Sequence, residues 1–329
     1  MMADLKVGLA GVGMMGRHHA RVLKSLDGVE LVGIADAAGD KHGVAGGLPV
    51  HQEFDDLLAM GLDSVVIAVP TGLHEEFALK AAAAGVSALI EKPLAPNPES
   101  AERVTKAFAD AGLVGAVGHI ERYNPALQQL RARLAQGDLG EMYQVVTRRQ
   151  GPFPARIADV GVVKDLATHD IDLTAWVTQS DFATVAAQSG FRSGREHEDL
   201  IAITGRLRND AVTSHLVNWL SPIKERVSVV TGERGAFVAD TLTADLTFYA
   251  NGTVQTEWDS VAEFRGVSEG DMIRYSFPKA EPLKTEHENF RDAVLGKDAD
   301  IVTMEQGLAT VRVADAVLES SRTRQAVEL

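Results

Sequence analysis

At 329 residues, with 45% hydrophobic and 24% charged side chains, the chain has a globular composition and a length suited to two domains of roughly 100 to 200 residues each. Its formal net charge of -14 argues against nucleic acid, which needs a basic face, and any anionic substrate must be met by a local group of Arg and Lys. The absence of cysteine excludes disulfides, thiolate catalysis and Cys-ligated zinc; no apolar run approaches the ~20 residues of a membrane span, and the first one, broken by glycines, reads as strand and turn instead of a signal peptide, so a cytoplasmic protein is expected.

The chain opens on a strand from Leu5 to Ala10, the turn Gly11-Val12-Gly13-Met14-Met15-Gly16, a helix from Met15 to Leu26, an apolar run from Val29 to Ala35, and then Asp36. That order suits a dinucleotide. Gly11 allows a tight turn, Gly13 lets the backbone approach a pyrophosphate without a Cβ in the way, and Gly16 lets the new helix pack close on the strand. The helix start offers unpaired N–H groups and a positive dipole end, and Asp36 is placed to accept hydrogen bonds from an adenosine ribose. A glycine-rich turn alone is weak evidence and could be an ordinary tight turn with a surface Asp; the strand, the helix and the spaced acid make it specific. Asp36 would repel a 2′-phosphate and Ala37-Ala38-Gly39 has no Arg to receive one, so NAD is expected over NADP.

Further along, Leu48-Pro49-Val50 leads to a short helix with Phe54, Leu57 and Leu58 on one face. Ser64 to Val69 reads as a strand buried on both faces and ended by Pro70, followed by a helix from Leu73 to Ala84 closed by Gly85. Val86 to Ile90 is the next strand, ending at Glu91-Lys92-Pro93. Asn97-Pro98 opens a helix that stops at Gly112, and Val114 to Gly118 is a further strand. The alternation predicts a doubly wound parallel sheet, a Rossmann α/β domain over residues 1–119.

From Ile120 the rhythm changes. A helix from Pro125 to Gln136 and a strand from Met142 to Gln150 precede a loop with Gly151-Pro152-Phe153-Pro154, then a helix over about Leu166 to Val177. Strand-like runs follow at Thr184 to Gln188, Leu200 to Leu207, Val212 to Trp219, Arg226 to Thr231, Ala236 to Ala239, Leu246 to Tyr249 and Thr253 to Trp258. Consecutive strands predict an α+β domain over 120–329, built on a large, mostly antiparallel open sheet. Thr285 with Glu288, and Thr303 with Gln306, resemble capping boxes opening two closing helices. A sheet with one uncovered face suggests a homo-oligomer, a dimer or tetramer.

Three groups of residues could carry chemistry. Lys92 stands at the C-terminal end of a parallel strand, where ligands bind in such sheets, although a lysine there can also be a plain surface residue. A cis bond before Pro93 would fix its direction, but X-Pro bonds are mostly trans. Asp165 and His169 are four apart, so at the head of a helix they share a face. His169 could take a proton from a substrate hydroxyl while Asp165 orients the ring. The same pair could bind a metal, but hydride transfer needs a base and no Lewis acid; it could also be a capping Asp with a hydrogen-bonded core His. Basic side chains gather at Arg122-Tyr123-Asn124, Arg148-Arg149, Arg156 and Lys164; they are either surface charges or contacts for a phosphorylated or carboxylated substrate.

The glycine turn, Ala68-Val69-Pro70-Thr71-Gly72-Leu73-His74, Glu91-Lys92-Pro93 and the Asp165–His169 pair together resemble the glucose-fructose oxidoreductase, inositol dehydrogenase and rhizopine-catabolism (Gfo/Idh/MocA) family, over nearly the whole chain. The resemblance implies oxidation of a ring secondary alcohol with NAD or NADP, with Lys92 and His169 as catalytic groups and Asp165 beside them. Cofactor contacts are then expected from Gly11, Gly13, Met14, Met15, Gly16, Asp36, Pro70, Thr71, His74, Glu91 and Lys92. Substrate contacts are expected from Lys92, Arg122, Tyr123, Asn124, Arg149, Asp165 and His169. No metal is implied. Gly118-His119-Ile120-Glu121-Arg122-Tyr123-Asn124-Pro125 and Gly151 to Pro154, followed by Asp159-Val160-Gly161-Val162-Val163, are similar to the UDP-N-acetylglucosamine 3-dehydrogenase branch, whose diphosphate the basic cluster would suit.

The expected mechanism brings Lys92 and His169 to either side of one sugar hydroxyl. His169 accepts its proton, the ring carbon's hydride passes to the nicotinamide, and Lys92 polarises the oxygen as it becomes a carbonyl. One alternative is an enzyme acting on a free polyol, such as an inositol 2-dehydrogenase; another is a non-catalytic NAD-sensing regulator, which would have no need of a proton acceptor.

Overall fold

The computed structural model describes residues 4–154, 160–252 and 269–329. The strand expected over 253–258, and Arg156, lie outside the described residues. The chain divides into two compact units: Met1–Ile120 with Glu281–Asp315, and Glu121–Ala280 with Ala316–Leu329. The opening segment of the first unit ends at Ile120. The return of 281–315 to it is not anticipated by the order of elements.

Unit 1 begins with β1 (Leu5–Ala10), α1 (Gly16–Leu23), β2 (Val29–Ala35), β3 (Val50–His51), α2 (Phe54–Leu58) and β4 (Ser64–Ile67). It continues with a 3₁₀ turn (Thr71–Leu73), α3 (His74–Ala83), β5 (Ser87–Glu91), α4 (Pro98–Ala111) and β6 (Gly115–Gly118). The strands form one parallel sheet in the order β3-β2-β1-β4-β5-β6, the doubly wound order expected. β4 stops at Ile67 and does not reach Pro70. α4 has the predicted ends: Asn97 Oδ1 accepts the Ser100 N–H at 2.9 Å, and Gly112 closes the helix at φ +63°.

Continuous apolar runs in β4 and β5 make sense because both faces of the sheet are buried. Val65, Ile67, Ala88 and Ile90 face one core, with Leu57 of α2, Ala78 of α3 and Val104 of α4. Val66 and Leu89 face the other, with Ala20 and Leu23 of α1. Each fully buried Val, Leu or Ile contributes about 1.5–3 kcal/mol relative to exposure.

The returning segment completes both cores. Its helix α7 (Pro282–Val294) sends Phe290 into the α1 side. Val302 enters the opposite core, and its carbonyl accepts the Val117 N–H at 2.9 Å, which lays the chain along the β6 edge. Helix α8 (Met304–Thr323) then adds Met304, Leu308 and Val311 to that core. Its start is the predicted capping box: Thr303 Oγ1 accepts the Gln306 N–H at 3.3 Å and Gln306 Oε1 accepts the Thr303 N–H at 3.2 Å. The other expected box is not there. α7 begins three residues earlier, at Pro282, whose fixed φ suits a first helical position, and Thr285 instead donates its hydroxyl to the Glu281 carbonyl at 3.2 Å.

Unit 2 starts within a 3₁₀ turn (Ile120–Tyr123), then has α5 (Pro125–Ala135), β7 (Met142–Pro152), a single π-helical turn (Val163–Ala167) and α6 (Thr168–Thr178). The strands β8 (Phe182–Gly190), β9 (Leu200–Leu207), β10 (Val212–Asn218), β11 (Leu220–Gly232), β12 (Gly235–Asp240), β13 (Asp245–Asn251), β14 (Glu269–Arg274) and β15 (Val327–Glu328) complete it. They form a nine-stranded sheet in the order β14-β13-β12-β11-β7-β10-β9-β8-β15. Every pairing is antiparallel except β7 with β10, in line with the expected, mostly antiparallel sheet. Leu127 and Leu130 of α5 and Leu173 and Trp176 of α6 pack with Val145, Val230 and Phe237 of the strands, which puts the core between these helices and the sheet. Among the described residues no helix is long and apolar enough to cross a membrane.

Candidate active site

In unit 1 the three turn glycines do three different things. Gly11 sits at φ +86°, donates its N–H to the Ala35 carbonyl at 2.7 Å, and would bring a Cβ to 2.6 Å from the Ala68 carbonyl oxygen. A Cβ on Gly16 would run into the Gly11 carbonyl, so the close approach is to the turn itself and not chiefly to the strand. Around Gly13 a Cβ would meet nothing within 4 Å among the described residues. It would project into the open space that a pyrophosphate needs. Among the described residues no side chain caps α1, whose Arg17 and His18 N–H groups donate to the Gly13 and Met15 carbonyls at 3.2 and 2.8 Å; the positive end of the helix dipole there favours an anion, and Met14 is exposed while Met15 is half-buried beside it.

Asp36 is half-buried at the end of β2, where its Oδ2 accepts the Val12 N–H at 2.9 Å and its Oδ1 the Ala38 N–H at 2.8 Å. A carboxylate has about four acceptor positions, so two remain for a pair of ribose hydroxyls. The turn, the open Gly13 face and this carboxylate fit a dinucleotide.

After β4, Pro70 is exposed and Thr71 half-buried at the 3₁₀ turn. His74, expected among the cofactor contacts, is buried instead: its Nδ1 lies 2.8 Å from the Pro93 carbonyl and its Nε2 3.0 Å from the Val69 carbonyl. It is a strut joining the segments that follow β4 and β5. Burial pushes its pKa down, so the ring is neutral, donates to one of these carbonyls and only abuts the other. Glu91, the last residue of β5, is also buried; its Oε2 accepts the Lys92 N–H at 3.1 Å and its Oε1 lies 2.8 Å from His19 Nε2. Lys92 is half-buried, and the Lys92–Pro93 peptide is cis.

In unit 2, Asp165 and His169 do not lie on one regular α-helix. Asp165 belongs to the π-helical turn and is buried; His169 is the second residue of α6 and is half-buried. The wider turn changes the angle between positions four apart, and such turns are frequent at functional sites.

The expected basic cluster is corrected by its own partners. Arg122 is buried and makes a two-pronged pair with Asp172, Nε to Oδ2 at 2.8 Å and Nη2 to Oδ1 at 2.6 Å. Arg149 is buried between Asp170, with Nε to Oδ1 at 2.9 Å, and Glu121, with Nη1 to Oε1 at 2.8 Å. Burial works against the Arg149 charge, but the Asp170 and Glu121 carboxylates outweigh it and hold the guanidinium charged beyond its ordinary range. Asn124 is a cap: its Oδ1 accepts the Ala126 N–H at 3.0 Å and its Nδ2 donates to the Thr241 carbonyl at 3.0 Å. Tyr123 is buried with them, while Arg148 is exposed and paired with Glu225 at 2.8 Å. Arg122 and Arg149 therefore brace the helix that carries His169. Asp170 and Asp172 both lie on α6, and Arg149 and Arg122 hold it there.

The residues missed in the sequence are the acids Glu121, Asp170 and Asp172, and the histidine His19. Local patterning gave no signal for the two aspartates: they alternate with apolar Ile171 and Leu173, but on a helix positions two apart do not share a face.

Comparison with known proteins finds relatives of both parts of the sequence. The model of an oxidoreductase family with an NAD-binding Rossmann fold matches residues 5–119, and its companion, the C-terminal alpha/beta domain of the same family, matches residues 131–329. The chain is similar to the UDP-N-acetylglucosamine 3-dehydrogenase of Acidithiobacillus ferrooxidans, 32% identical over 215 residues, 65% of this chain and 66% of that protein. It is similar too to the inositol 2-dehydrogenase 2 of Saccharopolyspora erythraea, 31% identical over 204 residues, 59% of this chain and 60% of that one. These two alignments thus span under two thirds of the relatives' lengths. A crystal form of the Acidithiobacillus enzyme superposes with a TM-score of 0.86 at 26% identity, covering 98% of this chain and 99% of that chain. The chain belongs to the Gfo/Idh/MocA oxidoreductase family.

Proposed function

We propose that the chain is a nicotinamide-dependent dehydrogenase that oxidises a ring secondary alcohol of a nucleotide sugar, with NAD as the acceptor. The observation that carries this reading is found within unit 1. There an open Gly13 face, an uncapped helix start and a half-used Asp36 carboxylate share one parallel sheet with Lys92. The Asp36 charge supports NAD over NADP. When bound, the nicotinamide takes up a hydride from the carbinol carbon. Lys92 Nζ donates a hydrogen bond to the alcohol oxygen and polarises it as it becomes a carbonyl. The His169 imidazole accepts the hydroxyl proton, and Asp165 orients that ring.

The nucleotide-sugar assignment is supported by likeness to the UDP-N-acetylglucosamine 3-dehydrogenase in sequence and in fold. A second reading, oxidation of a free polyol such as an inositol, is favoured by one observation. Arg122 and Arg149, expected to meet a diphosphate, are committed to the buried Asp172 and Asp170 and the half-buried Glu121.

The test is to incubate the purified protein with NAD or NADP and a panel of UDP-sugars, free sugars and inositols while following reduced-nicotinamide absorbance. Turnover with NAD and a UDP-N-acetylhexosamine is expected. Turnover with inositols alone selects the second reading, and none with any alcohol, in a protein that binds NAD, removes the dehydrogenase reading. Lys92→Met should bind NAD within about twofold of the parent and lose about a hundredfold or more in turnover.

A further inference from the structure

Behind Lys92, unit 1 contains a buried chain of acids and imidazoles that the mechanism above does not use. His19, on α1, is fully buried, with Nε2 at 2.8 Å from Glu91 Oε1 and Nδ1 at 2.8 Å from Nε2 of His287, on α7. The two rings meet edge to face, 5.0 Å apart at an interplanar angle of 83°. Glu91 closes the chain by accepting the Lys92 backbone N–H at 3.1 Å. The bonds therefore run without a gap from the returning C-terminal helix, through the first helix, to the peptide that carries Lys92.

We propose that His19 and His287 are positioning residues for Lys92. The chain His287–His19–Glu91 locks the Glu91 carboxylate in the rotamer that holds the Lys92 peptide, and so aims the Lys92 side chain. This rests on the reading of Lys92 as the group that touches the alcohol oxygen.

Hydrogen-bond chemistry leaves the chain few options. Burial works against ionisation of Glu91, but the hydrogen bond and charge of His19, then Lys92, outweigh it and keep its pKa low, so Glu91 is a carboxylate and an acceptor. His19 Nε2 must then carry a proton. Burial, and next the charge of His19, hold the His287 pKa well down, so that ring is neutral and shares one proton with His19 Nδ1. Glu286, beside His287 on α7, is buried, and among the described residues neither carboxyl oxygen has a hydrogen-bond partner. Burial, then the charge of Glu91, raises its pKa well above the ordinary range, so it stays a neutral acid and Glu91 keeps the negative charge of the group. A carboxylate held at only one oxygen would be free to turn about its terminal torsion, which is broad. With His19 on the other oxygen it is not.

The test uses the full-length protein in two arms. In the first, 15N-histidine spectra of the unmodified protein are expected to show a protonated His19 Nε2 and a neutral His287 from about pH 5 to pH 8. An unprotonated His19 Nε2, or a His287 that titrates at the ordinary imidazole position, overturns the proposal. In the second, His287→Phe removes the polar contact at nearly constant volume and is expected to lower kcat about ten- to a hundredfold, the usual loss for a slightly misplaced reacting group, with the KM for NAD within about twofold. His287→Gln, whose amide restores a hydrogen-bonding partner for His19 Nδ1, is expected to recover kcat to within about threefold. A His287→Phe protein that keeps kcat, or a loss that His287→Gln does not recover, overturns it. If the unmodified protein oxidises no alcohol at all, the functional reading fails while the first arm still decides whether the chain of bonds exists.

Discussion

The carboxylate of Asp36 accepts the backbone N–H of Val12 at 2.9 Å, so the residue expected to hold the ribose also holds the glycine turn in place. Its other oxygen takes the Ala38 N–H at 2.8 Å. Two effects of one substitution can therefore be separated. Asp36→Asn keeps one carbonyl acceptor but removes the charge that repels a 2′-phosphate, and the ratio of kcat/KM for NADP over NAD is expected to rise about tenfold or more, the equivalent of about 1.4 kcal/mol. Asp36→Ala leaves both backbone N–H groups without their acceptor and is expected to cost about 1–3 kcal/mol of stability as well. A cofactor ratio unchanged in Asp36→Asn removes this residue from cofactor selection.

Arg122 and Asp172 make the second prediction, because both charges are buried and each is matched atom for atom by the other. Removing one partner leaves an uncompensated charge in the interior, at a cost of about 3–5 kcal/mol, whereas replacing both by apolar residues of similar volume is often neutral. Arg122→Met and Asp172→Leu are each expected to lower the urea midpoint strongly, and the double variant to sit above either single one. Additive losses in the double variant would mean that the two side chains do not act as a pair. Since Asp172 lies on the helix that carries His169, the single variants are also expected to reduce turnover in the protein that remains folded.

Much of this arrangement could be read from the residues in order. β1, β2 and β9 have the ends that apolar patterning gives, and Asn97, Gly112 and Thr303 cap as their side chains and backbone freedom require. What was not legible depends on contacts far apart in the chain. The amphipathic pattern of α7 says that Phe290 is buried, not which sheet it is buried against, and nothing local couples His287 to His19. The π-helical turn at Val163–Ala167 leaves the apolar spacing unaltered, so Asp165 and His169 looked like neighbours on an ordinary helix. Arg122 and Arg149 were visible as positive charge in an acidic chain. That they are neutralised inside unit 2 follows only when Asp170, Asp172 and Glu121 are seen to be buried or half-buried beside them.

His215 gives a prediction about acid stability. It lies on β10, buried, with Nδ1 at 2.9 Å from Thr147 Oγ1 of β7, while Nε2 has no hydrogen-bond partner among the described residues. Burial lowers its pKa from the ordinary 6.5 to about 4. Between those two values the unfolded chain binds a proton at this residue that the native protein does not. Native stability therefore falls as the pH drops from 6.5 and stops falling, on this residue's account, below about 4. At about 1.4 kcal/mol per pH unit the whole loss is on the order of 3 kcal/mol. His215→Gln keeps a hydrogen-bonding group for Thr147 and cannot titrate. Its stability relative to the parent, from urea unfolding at a series of pH values, is expected to climb by about that amount as the pH falls through the window. A difference between the two proteins that stays constant with pH would show that the ring is not held neutral by the fold.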